Sequence, residues 1–181
     1  MAHRALVLID LQNDYFAGGK WTLHGIDDAA RNAAAVLKAA RENGDVVVHV
    51  HHEFLMDEPP FFAPNSEGAQ IHSSVTPNEG EPTVLKHQVN AFKETNLKSV
   101  LDEKGVKQVT FVGAMSHMCI DAAARAASDF GYEVTVIEDA CASRDLEFEG
   151  RTIGAEDVHS AYMSSLGFAY ATVARTDEYL G

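Results

Sequence analysis

Three residues of this chain offer chemistry that belongs together. Cys119 supplies a sulfur nucleophile, Asp10 a carboxylate able to take and return a proton, and Lys86 a cation that stabilises the charged form of either. Each alone is weak: a carboxylate ending a strand is usually a cap or turn, a lysine a solvated charge, and a free cysteine a small buried hydrophobe. Cys119 lies in Val112 to Ala127, VGAMSHMCIDAAARAA, where an apolar run turns through Ser116 and opens onto an alanine-rich helix. Ser116 is the expected N-cap. That puts Cys119 in or near the first helical turn, where free N–H groups and the positive end of the helix dipole favour a thiolate.

The elements that must position these residues follow from the hydrophobic pattern. Residues 4–9 form a continuous apolar strand ending at Asp10. Ile26, Ala30, Ala33, Leu37 and Ala40 trace one face of a helix that starts after the acidic pair Asp27-Asp28 and stops at Asn43-Gly44. Val46 to Val50 is the next strand, and Thr83 to Leu85 a short one ending at Lys86. A helix over 95–104, a strand over 107–113, the Cys119 helix closed by Gly131 and a strand over 134–137 follow. A helix containing Val158, Tyr162 and Leu166 is expected to stop at Gly167, with a last strand over 168–173. Alternation of this kind predicts an α/β fold: a three-layer α/β/α sandwich on a mostly parallel sheet of about six strands, in a single domain over 1–181. In such sheets ligands bind at the carboxyl ends of the strands, where the first delivers Asp10, the third Lys86 and the fourth, through Ser116, Cys119. All five prolines fall between Pro59 and Pro82, with Phe54, Phe61 and Phe62. The 53–82 segment is therefore read as a loop forming a wall or lid over the site.

Composition excludes several classes. With 14 Lys and Arg against 27 Asp and Glu, the net charge of −13 opposes nucleic acid as a partner. Met1-Ala2-His3-Arg4 leads straight into a strand and no apolar run is long enough for a bilayer, so a cytoplasmic protein with no membrane partner is expected. Cys119 and Cys141 lack disulfide-framework or metal-motif spacing, and no glycine-rich nucleotide loop is present.

Four stretches together resemble the isochorismatase-like cysteine hydrolases, a family that includes nicotinamidase and N-carbamoylsarcosine amidase. They are Leu8-Ile9-Asp10-Leu11-Gln12-Asn13-Asp14-Tyr15-Phe16, Lys86 with Asn90-Ala91-Phe92, Gly113 to Cys119, and Asp139-Ala140-Cys141-Ala142-Ser143. The resemblance implies Cys119 as nucleophile, Asp10 as acid/base and Lys86 as third member, on the family's hydrolase fold. It also implies a cis peptide between Ala114 and Met115, and an oxyanion hole made by the N–H groups of Met115 and Cys119. Nicotinamidase-type members hold a metal after the second strand. Here His49-Val50-His51-His52-Glu53-Phe54 departs from that pattern, although His72 matches a third ligand position. A site built from His51, His52, Glu53 and His72 stays open, and no metal or other cofactor is expected. Phe16, Trp21, Phe61 and Phe62 are candidates to line a substrate pocket, with His52, Glu53 and His117 as polar contacts, and Cys141 is expected in the core. The activity implied is cysteine-dependent hydrolysis of a small amide or other C–N bond, by a homo-oligomer such as a dimer or tetramer. The alternatives are a metal-dependent nicotinamidase, a vinyl-ether hydrolase using Asp10 alone, and a binding protein without turnover.

Overall fold

The computed structural model describes residues 4–181; the reading of Met1 to His3 lies outside the described residues. Strand β1 (Arg4–Ile9) is buried on both faces from Ala5 onward, as an apolar run without alternation must be. Helix α1 (Ile26–Asn43) buries the face spaced by Ile26, Ala30, Ala33, Leu37 and Ala40. It ends where Gly44 turns left-handed and returns its N–H to the carbonyls of Ala40 and Arg41. Strands β2 (Val46–His52) and β3 (Thr83–Lys86), helix α2 (Leu97–Glu103), strand β4 (Gln108–Ala114), helix α3 (Asp121–Asp129) and strand β5 (Glu133–Ala142) follow. A hairpin of β6 (Leu146–Phe148) and β7 (Arg151–Ile153) leads into α4 (Ala155–Ala169), β8 (Thr172–Ala174) and α5 (Thr176–Leu180).

Six strands pair in parallel in the order β3-β2-β1-β4-β5-β8. One apolar cluster packs α1 against the sheet through Ala33 and Leu37; the other brings Leu101, Ala123, Ala127 and Leu166 of α2, α3 and α4 onto the opposite face. The result is the three-layer sandwich. The chain winds outward from β1 to β3 and then returns to β4 on the other side of β1. The carboxyl ends of β1 and β4 thus flank the point where strand order reverses, the ordinary place for a ligand crevice. Gly113 is required there: its φ is +128°, and a Cβ would collide with the Ile9 carbonyl of the neighbouring strand.

The 53–82 segment is tied down by the residues that follow β1. The Gln12 amide donates to the carbonyls of His52 and Ala69, both at 2.8 Å, and accepts the His52 N–H. The Asp14 carboxylate accepts the N–H groups of Phe62 (2.7 Å) and Lys20 (3.1 Å), and Gly68 packs so closely on that carboxylate that a Cβ would overlap it. Phe61 and Phe62 are buried as a consequence. Farther along, Glu81 accepts from Arg41 at 2.7 and 2.8 Å, from the Asn78 N–H at 2.8 Å, and meets His49 Nε2 at 2.9 Å.

The Arg41 hydrogen bonds hold the Glu81 carboxyl down at about 2, against the 4.5 usual for a glutamate. A carboxylate with a depressed folded pKa stabilises above its unfolded value, and that contribution disappears as pH falls from 4.5 through about 2. Glu81→Gln is expected to cost about 1–2 kcal/mol at neutral pH, solvent screening of the partly exposed pair reducing the full effect of the shift, and to flatten the acid limb of stability below pH 4.5. Urea unfolding at a series of pH values checks both.

Two expectations for the C-terminal part are corrected. Helix α4 runs through Gly167 to Ala169, leaving Phe168 91% exposed, and the last strand is Thr172–Ala174. One glycine costs a helix only about 1 kcal/mol, which the buried face of Val158, Met163 and Leu166 offsets. The β6–β7 hairpin carries no buried alternating face, so periodicity gives no sign of it. Among the described residues no helix is long and apolar enough to cross a membrane.

Candidate active site

Strand β1 ends in Asp10, whose left-handed backbone (φ +53°) turns the chain while its N–H still bonds the Val50 carbonyl at 3.0 Å. The side chain is fully buried. Lys86 closes β3 in register with His52 of β2, and the pleat that leaves Leu85 exposed sends Lys86 inward. Its neighbour His87 faces outward and meets the Glu53 carbonyl. The fully buried Lys86 Nζ then lies 2.9 Å from Asp10 Oδ2, 2.7 Å from His52 Nδ1, 3.3 Å from Cys119 Sγ and 3.2 Å from the Gln88 carbonyl.

Cys119 arrives from the other side. After β4 the Ala114–Met115 peptide is cis, and Ser116–Ile120 form a single π turn before α3. The Met115 carbonyl accepts the N–H groups of Met118 (3.0 Å) and Ile120 (3.2 Å) across that wide turn. Ser116 is not the cap expected; Met115 holds that position. The buried Ser116 hydroxyl has closer tertiary partners, donating to the Ala142 carbonyl at 3.1 Å and meeting His159 Nδ1 at 2.8 Å, which anchors the turn to β5 and α4.

The electrostatics correct the expectation of a resting thiolate. Cys119 is 4% exposed, and burial, reinforced by the Asp10 charge, pushes its thiol well above the ordinary range, with Lys86 opposing only in part. Proximity to a helix start is outweighed by the loss of water. For Lys86, burial disfavours the cation, but Asp10 and Cys119 more than offset it and its pKa is raised. His52 is lowered to about 4 by burial and then by the Lys86 charge, so it is neutral and its Nδ1 can accept from Lys86. His52 Nε2 and Asp10 Oδ1 are buried without hydrogen-bond partners among the described residues.

The other residues singled out from the sequence divide. Phe61 and Phe62 pack with Tyr15, and Trp21 stacks on Phe61 at 4.7 Å, making one aromatic wall. Tyr15 lies in the first of the four family-like stretches, where no period marks it as part of this wall. It is buried, and its phenol is raised by burial and by the charges of Cys119 and Asp10. Phe16 instead stacks on His72 at 3.6 Å, beside a cleft of about 630 Å³. His117 is buried, with Nδ1 2.8 Å from Ser143 Oγ, and Cys141 is a core residue.

The ligand set entertained for a metal does not assemble. His72 turns to Ser74, Glu53 accepts from the Asn65 N–H, and Phe54 packs on the His52 ring. Among the described residues the one group of three potential donors is Asp10, His52 and Cys119, and the Lys86 ammonium already contacts all three. These residues do not fit the nicotinamidase-type centre.

Comparison with known proteins identifies the family and matches the fold. The Isochorismatase domain model matches residues 4–174. The chain is 47% identical over 176 residues to YddQ, an uncharacterised isochorismatase family protein of Bacillus subtilis, covering 97% of this chain and 98% of that one. A crystal structure from Oleispira antarctica, described as an isochorismatase hydrolase, superposes with a TM-score of 0.95 at 56% identity, covering 98% of this chain and 95% of that one. A maleamate amidohydrolase from Pseudomonas putida is 29% identical over 157 residues, covering 77% of this chain and 72% of its own. With a six-stranded parallel sheet, a strand-end aspartate and a cysteine beyond the cis peptide, the chain belongs to the isochorismatase family of hydrolases.

Proposed function

We propose that this protein hydrolyses a small amide or related C–N bond through a thioester on Cys119. The observation that carries the reading is that one buried ammonium, Lys86 Nζ, touches both the Asp10 carboxylate and the Cys119 sulfur. Because the resting thiol is protonated, Asp10 takes the sulfur proton as Sγ attacks the carbonyl carbon, and the C=O electron pair moves onto oxygen. The N–H groups of Met115 and Cys119 receive that oxyanion. When the C–N bond breaks, Asp10 returns the proton to the leaving nitrogen. Ionised again, it activates a water that attacks the thioester, releasing the acid and restoring the thiol. Lys86 holds Asp10 in place and lowers the cost of charge on sulfur.

A similar protein named as an amidohydrolase supports C–N hydrolysis, and the donor set argues against the metal-dependent variant. The cytoplasmic location and the dimer or tetramer belong to the same reading, the latter to be checked by light scattering. The mechanism is tested by partitioning: native protein is given several amides that share one acyl group, with hydroxylamine present. A common thioester requires the same ratio of hydroxamate to acid whatever amine leaves. A ratio that follows the leaving group overturns the covalent route.

A further inference from the structure

His159 stands on the second turn of α4 and takes no part in the mechanism above, yet its ring lies against the turn that carries Cys119. Its Nδ1 is 2.8 Å from the hydroxyl of Ser116, the fully buried first residue of that turn, and its Nε2 is 3.3 Å from Glu138 Oε2 on β5. Glu138 is held in turn by Arg175, whose Nη1 donates to Oε1 at 2.8 Å.

Counting hydrogens fixes the state of the ring. Ser116 has one hydroxyl proton, and the Ala142 carbonyl, 3.1 Å away, can only accept it. The 2.8 Å contact must then be donated by Nδ1, and the Glu138 carboxylate requires a second donor at Nε2. A neutral imidazole carries a single N–H, so the full network exists only with the ring doubly protonated. When the ring loses one proton, the carboxylate keeps the remaining N–H at Nε2, and Nδ1 takes the Ser116 proton away from Ala142. That bond matters because Ala142 is the register partner of Ala114, the last residue of β4, so it seats the start of the Cys119 turn on the sheet edge. Other titratable and charged groups surround the ring. Glu138, Asp139 and Cys141 of β5, Arg175 beyond β8, Glu156 of α4 with His24 paired to it at 3.5 Å, and Asp28 of α1 line one cleft of about 470 Å³ with it. Assigning a pH effect to His159 therefore takes substitution of the ring itself.

We propose that His159, as an imidazolium backed by Glu138, is a positioning residue for the Cys119 turn. It keeps the Ser116 hydroxyl on the Ala142 carbonyl, and so keeps the Met115 and Cys119 N–H groups where the oxyanion forms. This rests on the C–N hydrolase reading and adds a proton switch to it. The test is kcat and KM for a panel of small primary amides and ureides across pH, with thermal unfolding as the check on folding. Native kcat is expected to fall at least about tenfold along a descending limb as pH rises, with KM within about twofold, because the reacting groups shift while substrate still binds. His159→Phe should lower kcat at least about thirtyfold at every pH. His159→Asn, whose amide N–H can stand where Nδ1 does but cannot titrate, should give an intermediate kcat and no limb. Glu138→Gln should move the limb to lower pH, because removing the carboxylate disfavours the charged ring. Native-like kcat in His159→Phe, or a limb that persists unmoved in His159→Asn, overturns the switch and leaves the C–N reading standing. A native protein that turns over no member of the panel overturns both.

Discussion

Cys119→Ala is expected to lower kcat for amide hydrolysis by at least about 10⁴-fold while the protein stays folded. The substitution removes the sulfur that forms the intermediate and leaves the oxyanion donors and the aspartate in place. A loss of that size is about 5 kcal/mol of transition-state stabilisation. The packing change is small, because only one sulfur atom leaves a buried pocket, and a stability cost of about 1 kcal/mol is expected. Steady-state kinetics paired with thermal unfolding separates the two effects. The same sulfur should react with iodoacetamide at neutral pH more slowly than a free cysteine does, because burial and the Asp10 charge keep it protonated until a substrate arrives. Amidase activity retained in Cys119→Ala would sink the thioester route and shift the chemistry to water activated by Asp10.

The convergence of Asp10, Lys86 and Cys119 was legible in the sequence because it rests on strand ends. Central parallel strands are unbroken apolar runs, so the first polar residue after each run marks the sheet's carboxyl edge. What escaped depends on side chains reaching across the fold. His52 stood out as a member of a possible metal set and as a polar pocket contact, not as a partner of Lys86; that contact follows from the β2–β3 register and from a lysine long enough to cross it. The thiolate expected at a helix start failed for a related reason. A dipole argument uses only neighbours in sequence, whereas desolvation of Cys119 is set by everything packed around it.

Lys86→Met is expected to remove most activity and to destabilise the protein by about 3–5 kcal/mol, the cost of leaving the buried Asp10 carboxylate without its cation. The pH dependence has a definite sign. The folded pKa of Lys86 is raised above 10.5, so its stabilisation is fully present below 10.5 and is lost only as pH rises through that higher value. The deficit of the variant should therefore be visible across the whole neutral range, by urea unfolding at pH 6 to about 9. If the loss reflects charge, removing the other half of the pair relieves it. Lys86→Met/Asp10→Asn should recover at least half of the lost stability, since a buried pair replaced by uncharged groups of similar volume often costs little. Activity should not return, because the double variant has neither the base for the thiol nor the cation that steadies it. Stability losses that simply add in the double variant would show that the lysine stem matters here as packing and that the ammonium contributes little.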